Sequence, residues 1–302
     1  MHKTALGRRI ARNWQLYLFL LLPVAYLLVF HYYPMLGVQI AFKKYSARLG
    51  IWGSPWVGFK YFIKFFNSTQ FTRVVGNTIK LSFYSILAEF PLPIVFALML
   101  NSVQSQRYKK TIQTITYMPY FISLVVACSI IKIYCQADGL FSQIGQFFGA
   151  PAQNLLIDPD KFTPIYVLSG IWQNIGWNSI IYLAALSGID QEQYEAARID
   201  GANRFQQVLH ITIPGILPTI MILFIMRMGS ILNVGYEKIL LLYTDATFET
   251  ADVFSTYTYR MGLQNQKYSL STAVGLFNTM VNIVFLLFTN WLSNKTTESG
   301  LF

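Results

Sequence analysis

Two opposite charges stand inside otherwise apolar stretches of this sequence. Glu89 and Arg227 are each surrounded by aliphatic and aromatic residues. An ionisable side chain in hydrocarbon costs about 2.5–3.5 kcal/mol on insertion scales, so such residues usually pair or serve a function. Arg227 follows Pro214 by thirteen residues, which is about 20 Å along a helix and too deep for its side chain to extend to the surface. A Glu89–Arg227 pair, an arginine bound to backbone carbonyls and an anchor for an acidic ligand all remain open.

Uncharged polar residues recur in the same apolar stretches. They are Gln173, Asn174, Asn178 and Asn278, with Trp177 among the first three. Amides donate and accept hydrogen bonds, and an indole offers a flat apolar face with one N–H donor. These residues are candidates for lining a substrate pathway. The alternative is that they hydrogen-bond helices to one another, as such side chains commonly do in membranes.

Catalytic chemistry has little support. The carboxylates Asp158, Asp160, Glu192 and Glu195 do not converge on a histidine or another nucleophile, as a membrane-embedded transferase would require. The histidines are scattered, so no metal site is expected. There is no G-x-x-x-x-G-K-[ST] phosphate loop, so we do not expect this chain to hydrolyse ATP.

The elements that must position these residues are membrane helices. The chain has 302 residues, of which 54% are hydrophobic and only 12% charged. Six stretches are long and apolar enough to cross a bilayer, which needs about 20 residues. They cover residues 16–37, 77–100, 111–134, 163–187, 213–232 and 270–293. Their only charges are Lys80, Glu89, Lys132 and Arg227, which predicts an all-α integral membrane fold with six transmembrane helices.

The net charge of +10 predicts contact with anionic lipid headgroups rather than nucleic acid, because the basic residues flank apolar spans. The high density of basic residues in the first dozen positions and in loop 101–110 predicts that both termini lie in the cytoplasm.

Phe59, Phe62, Ile63 and Phe66 share one face of a predicted interfacial helix. We therefore divide the chain into residues 1–72 with this helix, a core at 73–293 and a short cytoplasmic tail at 294–302.

The loop between the fourth and fifth predicted spans has a distinct composition. Residues 192–200 favour a helix, and Gly201 then permits a sharp turn with positive φ. A second short helix presents Phe205 before Pro214 opens the next span. The pattern predicts an exposed helix–turn–helix on the cytoplasmic face.

Residues 190–214 resemble the EAA loop of ABC-importer permeases of the binding-protein-dependent, MetI-like type. The matching positions are Glu195, Ala196, Ala197, Asp200, Gly201, Ala202, Phe205 and Pro214. Further matches resemble the LplB-type oligosaccharide permeases: Ala41-Phe42-Lys43, Trp56-Val57-Gly58, Ala251-Asp252-Val253, Tyr259-Arg260 and residues 272–278.

The resemblance implies one N-terminal helix before a five-helix permease core. It also implies a second homologous permease, two ATPase subunits that carry ATP and Mg, and an extracellular or periplasmic solute-binding protein that delivers an oligosaccharide. The EAA loop would couple the chain to the ATPases. The amides and Trp177 would then contact sugar, and Arg227 with Glu89 would suit an acidic one such as a uronate. A permease of this type for peptides or other small solutes is the alternative.

Overall fold

A computed structural model describes residues 12–297 and 300–301, with the side chains of 296 and 297 left aside. The helical segments, with contiguous π and 3-10 turns included, are α1 (Trp14–Phe42), α2 (Lys60–Phe66), α3 (Thr69–Ser102), α4 (Gln106–Phe121), α5 (Leu124–Tyr134), α6 (Leu140–Phe147), α7 (Pro159–Ser187), α8 (Gln191–Ile199), α9 (Arg204–Met228), α10 (Tyr236–Leu242), α11 (Phe254–Gln264) and α12 (Tyr268–Thr297). Single helical turns lie at Gly50–Gly53 and Phe248–Ala251. The part of the chain that the structure describes contains no β-strand, which agrees with the predicted all-α class.

The number of spans differs from the predicted six. Four helices, α1, α3, α9 and α12, are long and apolar enough to cross a membrane, and a fifth span results if α4 and α5 count as one. The fourth predicted span corresponds to α7, which has 29 residues but is not among them. Its amide side chains lower its hydropathy, so the described helices establish a multi-pass bundle without confirming the count.

Proline and extended residues interrupt two of the predicted spans. In α3 the helix is broken at Phe90, directly before Pro91, as expected because proline lacks the N–H that the preceding turn would bind. The predicted span 111–134 is not one straight helix, because α4 and α5 meet at an angle of 101°. The backbone of Ile122 and Ser123 is extended there, and the Ser123 hydroxyl accepts the Val126 N–H to start α5.

The bundle is organised around α7, which packs against α3, α4 and α9. One core cluster joins α5, α7 and α10 through Cys128, Phe162 and Ile239. A second cluster joins α3, α7 and α9 toward the C-terminal end of α7, through Tyr182 and Leu186. Burial of such side chains contributes about 1.5–3 kcal/mol each in soluble proteins. In a bilayer close packing takes over much of that role, and here it holds α7 between its neighbours.

Two buried charged side chains, Asp252 and Lys43, hold together segments outside the loop at 190–214. The Asp252 carboxylate is fully buried and lies 3.1 Å from Arg73 and 2.7 Å from Arg260. The buried Lys43 donates to the Ile51 carbonyl at 2.8 Å and lies 4.8 Å from the ring of Trp56. These contacts give a structural reason for several of the subfamily-like residues outside the EAA loop.

The predicted interfacial helix is α2, which packs against α12. Phe59, Ile63 and Phe66 are exposed, Phe62 is half-buried, and Phe65 is the residue that enters the core. Contact of the exposed face with lipid stays a prediction. Of the basic residues used to predict orientation, those at positions 3, 8 and 9 lie outside the described residues, as do 298, 299 and 302 of the predicted tail.

Candidate functional site

A cavity of about 640 Å³ lies between α3, α7 and α9. Its volume is within the 300–1,000 Å³ typical of small-molecule sites. It is lined by Glu89, Phe90, Pro93, Tyr120, Asn174, Trp177, Asn178, Ile181, Tyr182, Leu223, Met226, Arg227 and Ser230. Five of the seven residues predicted to line a pathway therefore meet here: Glu89, Asn174, Trp177, Asn178 and Arg227.

Glu89 and Arg227 form an ion pair across this cavity. The Arg227 Nη2 to Glu89 Oε2 distance is 3.1 Å, and the Arg227 and Glu89 side chains are 41% and 22% exposed. The break at Phe90 ends the first half of α3 at Glu89, while Arg227 stands in the last turn of α9. The sequence left open an ion pair, an arginine bound to backbone carbonyls and an anchor for an acidic ligand. The structure contains the ion pair. Both members still face open volume, so the pair does not exclude contact with a ligand.

A second chamber of about 360 Å³ shares Glu89, Tyr120, Asn174, Arg227 and Ser230 with the first. Gln173 lines this chamber and donates a long hydrogen bond of 3.4 Å to the Ile122 carbonyl at the α4–α5 break. The predicted amides of α7 thus face two adjoining spaces. Asn174 also donates to the Gly170 carbonyl at 2.9 Å within its own helix.

Lys238, on α10, is a site residue that the sequence analysis missed. It lines the second chamber, donates to the Tyr166 carbonyl at 2.8 Å and lies 4.5 Å from the Tyr166 ring. Burial lowers the pKa of Lys238 to about 8, while Glu89 and Cys128 act in the opposite direction. The one signal in the sequence was a lysine directly before the apolar run at 239–242.

Gly170 allows these charges to approach α7. A Cβ at this position would collide with Glu89 Oε1 and would lie 3.2 Å from Lys238 Nζ. The glycine lies in the middle of α7 with a helical backbone, so its role is to leave space rather than to adopt positive φ. Gly170 was also missed, because a single glycine in an apolar helix has no distinctive pattern.

An aromatic pair forms one wall of the first cavity. The rings of Trp177 and Tyr120 are stacked, with centroids 4.4 Å apart and planes 3° apart, and Phe121 contacts the Trp177 ring edge-on at 5.7 Å. Tyr120 reaches this position because α4 ends in a 3-10 turn that begins beside Pro119. A flat aromatic surface beside amides can hold the apolar face of a ring whose edge carries hydroxyls.

Asn278 does not join the other predicted pathway residues. It lines neither chamber, and it donates to Asn233 Oδ1 at 2.9 Å, where Asn282 also donates at 3.0 Å. Asn282 in turn accepts the Leu232 N–H at 3.0 Å. For Asn278 the structure therefore favours the alternative, in which the amide joins a helix to the segment after α9.

The predicted loop at 190–214 folds as α8, a turn at Gly201 and the start of α9. Asp190 caps α8 by accepting the Glu192 N–H, and Asn203 and Gln206 form a capping box at the start of α9. Gly201 has φ of +80°, as predicted. The Ala202 N–H donates to the Ala197 carbonyl at 2.8 Å, which closes the turn.

Much of this loop is presented outward. Glu195, Ala196, Asp200 and Pro214 are exposed, Ala197 and Ala202 are half-buried, and Phe205 is 74% exposed. An apolar side chain this exposed at a turn is a candidate contact for another protein. On its inner side the loop is anchored by Tyr194, whose hydroxyl lies 2.9 Å from Thr212 Oγ1.

The second helix of this loop is not a separate element, and that part of the prediction is wrong. Arg204–Gln207 continues through a π turn at Val208–Thr212 into Ile213–Met228. Pro214 is tolerated because it directly follows the π turn, and such local π adjustments let a helix continue past a residue without an N–H. One continuous helix therefore runs from the exposed Phe205 to Arg227 in the cavity.

Comparison with known proteins gives consistent matches over most of the chain. The family described as "Binding-protein-dependent transport system inner membrane component" matches residues 89–298. Protein LplB of Bacillus subtilis (strain 168) is 44% identical over 292 residues, which cover 96% of this chain and 92% of that protein. The polygalacturonan/rhamnogalacturonan transport system permease protein YteP of the same strain is 41% identical, with 95% and 90% covered.

Two solved structures match closely in fold. The crystal structure of a bacterial ABC transporter involved in the import of the acidic polysaccharide alginate contains a chain with a TM-score of 0.89 and 44% identity. That match covers 97% of this chain and 99% of the other. A structure of bacterial alginate ABC transporter in complex with an alginate pentasaccharide-bound periplasmic protein matches with a TM-score of 0.89 and 43% identity.

Proposed function

Because the chain belongs to the family of binding-protein-dependent transport system inner membrane components, we propose that it is the permease subunit of an ABC importer and forms half of a pathway for oligosaccharides. It is a multi-pass membrane protein and a transport subunit rather than an enzyme. The names of LplB-like relatives and the alginate structures support a saccharide substrate.

The observation that carries the proposal is the continuity of α9. Its first turn is part of the exposed loop, and its last turn places Arg227 in the cavity beside the amides and the aromatic pair. A helix transmits displacement along its axis because successive turns are joined by backbone hydrogen bonds, and α9 stays one helix through the π turn at Val208–Thr212. Movement of the loop can therefore displace the cavity wall.

Family membership supports a proposal about the partners. We propose that a second homologous permease completes the pathway and that two ATPase subunits, which hold ATP and Mg, bind the loop at 190–214. A solute-binding protein delivers the saccharide from outside, in line with the alginate complex that includes a periplasmic protein. In this arrangement the loop and both termini face the cytoplasm, and α10 and α11 lie on the opposite side.

The test is transport by the assembled complex. The chain, its partner permease and the ATPases are reconstituted in liposomes, and ATP is supplied on the side of the loop. Uptake of a radiolabelled oligosaccharide is then measured with the binding protein present. We expect accumulation that requires both ATP and the binding protein. Accumulation of peptides but of no saccharide in the same vesicles would favour the alternative substrate class and contradict the proposal.

A further inference from the structure

The charges that line the two chambers do not cancel. Among the described lining residues, Arg227 and Lys238 are positive and Glu89 is negative, while the remaining residues are neutral. The charged side chains around the two chambers therefore sum to +1. A charge left uncompensated in such a place is costly unless it serves a ligand.

Given the proposed function, on which this depends, we infer that the cavity binds an anionic saccharide, and that a carboxylate of the substrate replaces Glu89 as the partner of Arg227 while Lys238 provides a second positive charge. Glu89 then acts as an internal counter-ion that occupies the arginine when no substrate is present.

The contacts of Arg227 allow such an exchange. In the described chain it makes one hydrogen bond to Glu89, through Nη2. A guanidinium has five N–H donors and binds carboxylates best through two parallel bonds. The single bond to Glu89 is therefore weaker than the bidentate pair that an incoming carboxylate can form. Arg227 is also the more exposed member of the pair.

The contacts of Lys238 support the same role. Its ammonium group is held by a carbonyl and a ring of Tyr166, not by a carboxylate. It has three N–H donors, and one of them is used in that bond. Gly170 keeps Lys238 and Glu89 next to each other on the same face of α7. A carboxylate that displaces Glu89 thus enters the field of both cations.

The neutral part of a saccharide has its own partners. Asn174 and Asn178 line the first cavity together with the stacked Trp177 and Tyr120. These groups can bind hydroxyls and the apolar face of a sugar ring without regard to its charge. The ratio of affinities for an acidic and a neutral form of one saccharide therefore isolates the contribution of the charges.

The experiment uses the complete complex of both permeases and ATPases, purified in detergent without the binding protein, so that the binding protein's own selectivity does not enter. The probes are trigalacturonate and its fully methyl-esterified, neutral form. We expect the wild-type complex to prefer the acid at least about tenfold, the effect of one charge-assisted interaction. Arg227→Gln should reduce this preference about tenfold, and Glu89→Gln should increase it.

Controls separate this inference from folding and from the proposed function. Lys132→Gln removes a charge that lines neither chamber and should leave the preference unchanged. Arg227→Lys keeps the charge and should retain part of the preference if Arg227→Gln fails to assemble. The same complex is also placed in liposomes with the binding protein and ATP to measure uptake. Equal affinity of the wild type for acid and ester in detergent, with ATP-driven uptake of the ester intact in the liposomes, would overturn the inference alone. Absence of uptake of either saccharide would instead contradict the proposed function.

Discussion

Replacement of Gly201 by valine tests whether the loop at 190–214 couples the chain to its ATPases. Gly201 has φ of +80°, and no atom lies within 4 Å of the position that its Cβ would take. A Cβ at this position therefore collides with nothing in the chain, and the effect expected from the substitution is backbone strain. A β-branched residue in this region costs on the order of 1–3 kcal/mol.

That strain acts on the shape of the loop rather than on the bundle. A cost of about 1–3 kcal/mol reduces the population of the turn by a factor of roughly 5 to 150, since about 1.4 kcal/mol is tenfold. The turn is closed by hydrogen bonds within the loop and lies at an exposed position. We expect expression and pairing with the second permease to stay near normal, while ATPase co-purification and oligosaccharide uptake fall strongly.

Asparagine at the same position is the matched control. It tolerates positive φ much better than valine, so Gly201→Asn should retain most ATPase association and uptake. The measurements are the amount of ATPase that co-purifies with the permease pair and the initial rate of uptake, taken on the same preparations. Normal uptake by Gly201→Val would refute the coupling role assigned to this loop. Equal loss in both variants would show that the turn's φ is not what matters.

Three further predictions concern the cavity and the assembly. Gly170→Ala should displace the Glu89 carboxylate and lower uptake several-fold. Gly76→Ala is the control, because a Cβ at that position meets nothing within 4 Å, and it should leave uptake unchanged. Equal uptake in the two variants would contradict the role given to Gly170. Lys238, with its pKa lowered to about 8, is charged below that pH and loses its charge above it. Uptake of an acidic saccharide should therefore decline from pH 7 to pH 9. Lys238→Arg should remove this decline, and an unchanged decline in that variant would assign it to another group. The purified chain without its partner permease should show neither ATPase activity nor transport; sugar movement by the single chain in liposomes would disprove this.

Several features of the protein are determined by local sequence. Apolar length predicts helices, and the observed α3, α9 and α12 include most of the stretches predicted for them. Capping residues and glycine fix the loop: Asp190 and Asn203 start helices and Gly201 ends one, because each acts through backbone groups a few residues away. The matches to the EAA loop and to LplB-type permeases, confirmed at the level of the family, likewise required only spacing along the chain.

The tertiary structure decided which of the candidate residues meet. Glu89 and Arg227 are 138 residues apart in sequence, and their pairing depends on how α3 and α9 pack against α7. Lys238 lines the site because α10 packs beside the second chamber, and Tyr120 lines it because α4 ends at the 101° bend before α5. Asn278 lies outside the site and hydrogen-bonds Asn233. Hydrophobic periodicity shows which face of a helix is apolar. Where helices are apolar on nearly every side, it does not show which neighbouring helix a given face contacts. That choice is made by close packing and by the cost of leaving a buried charge or amide without a partner.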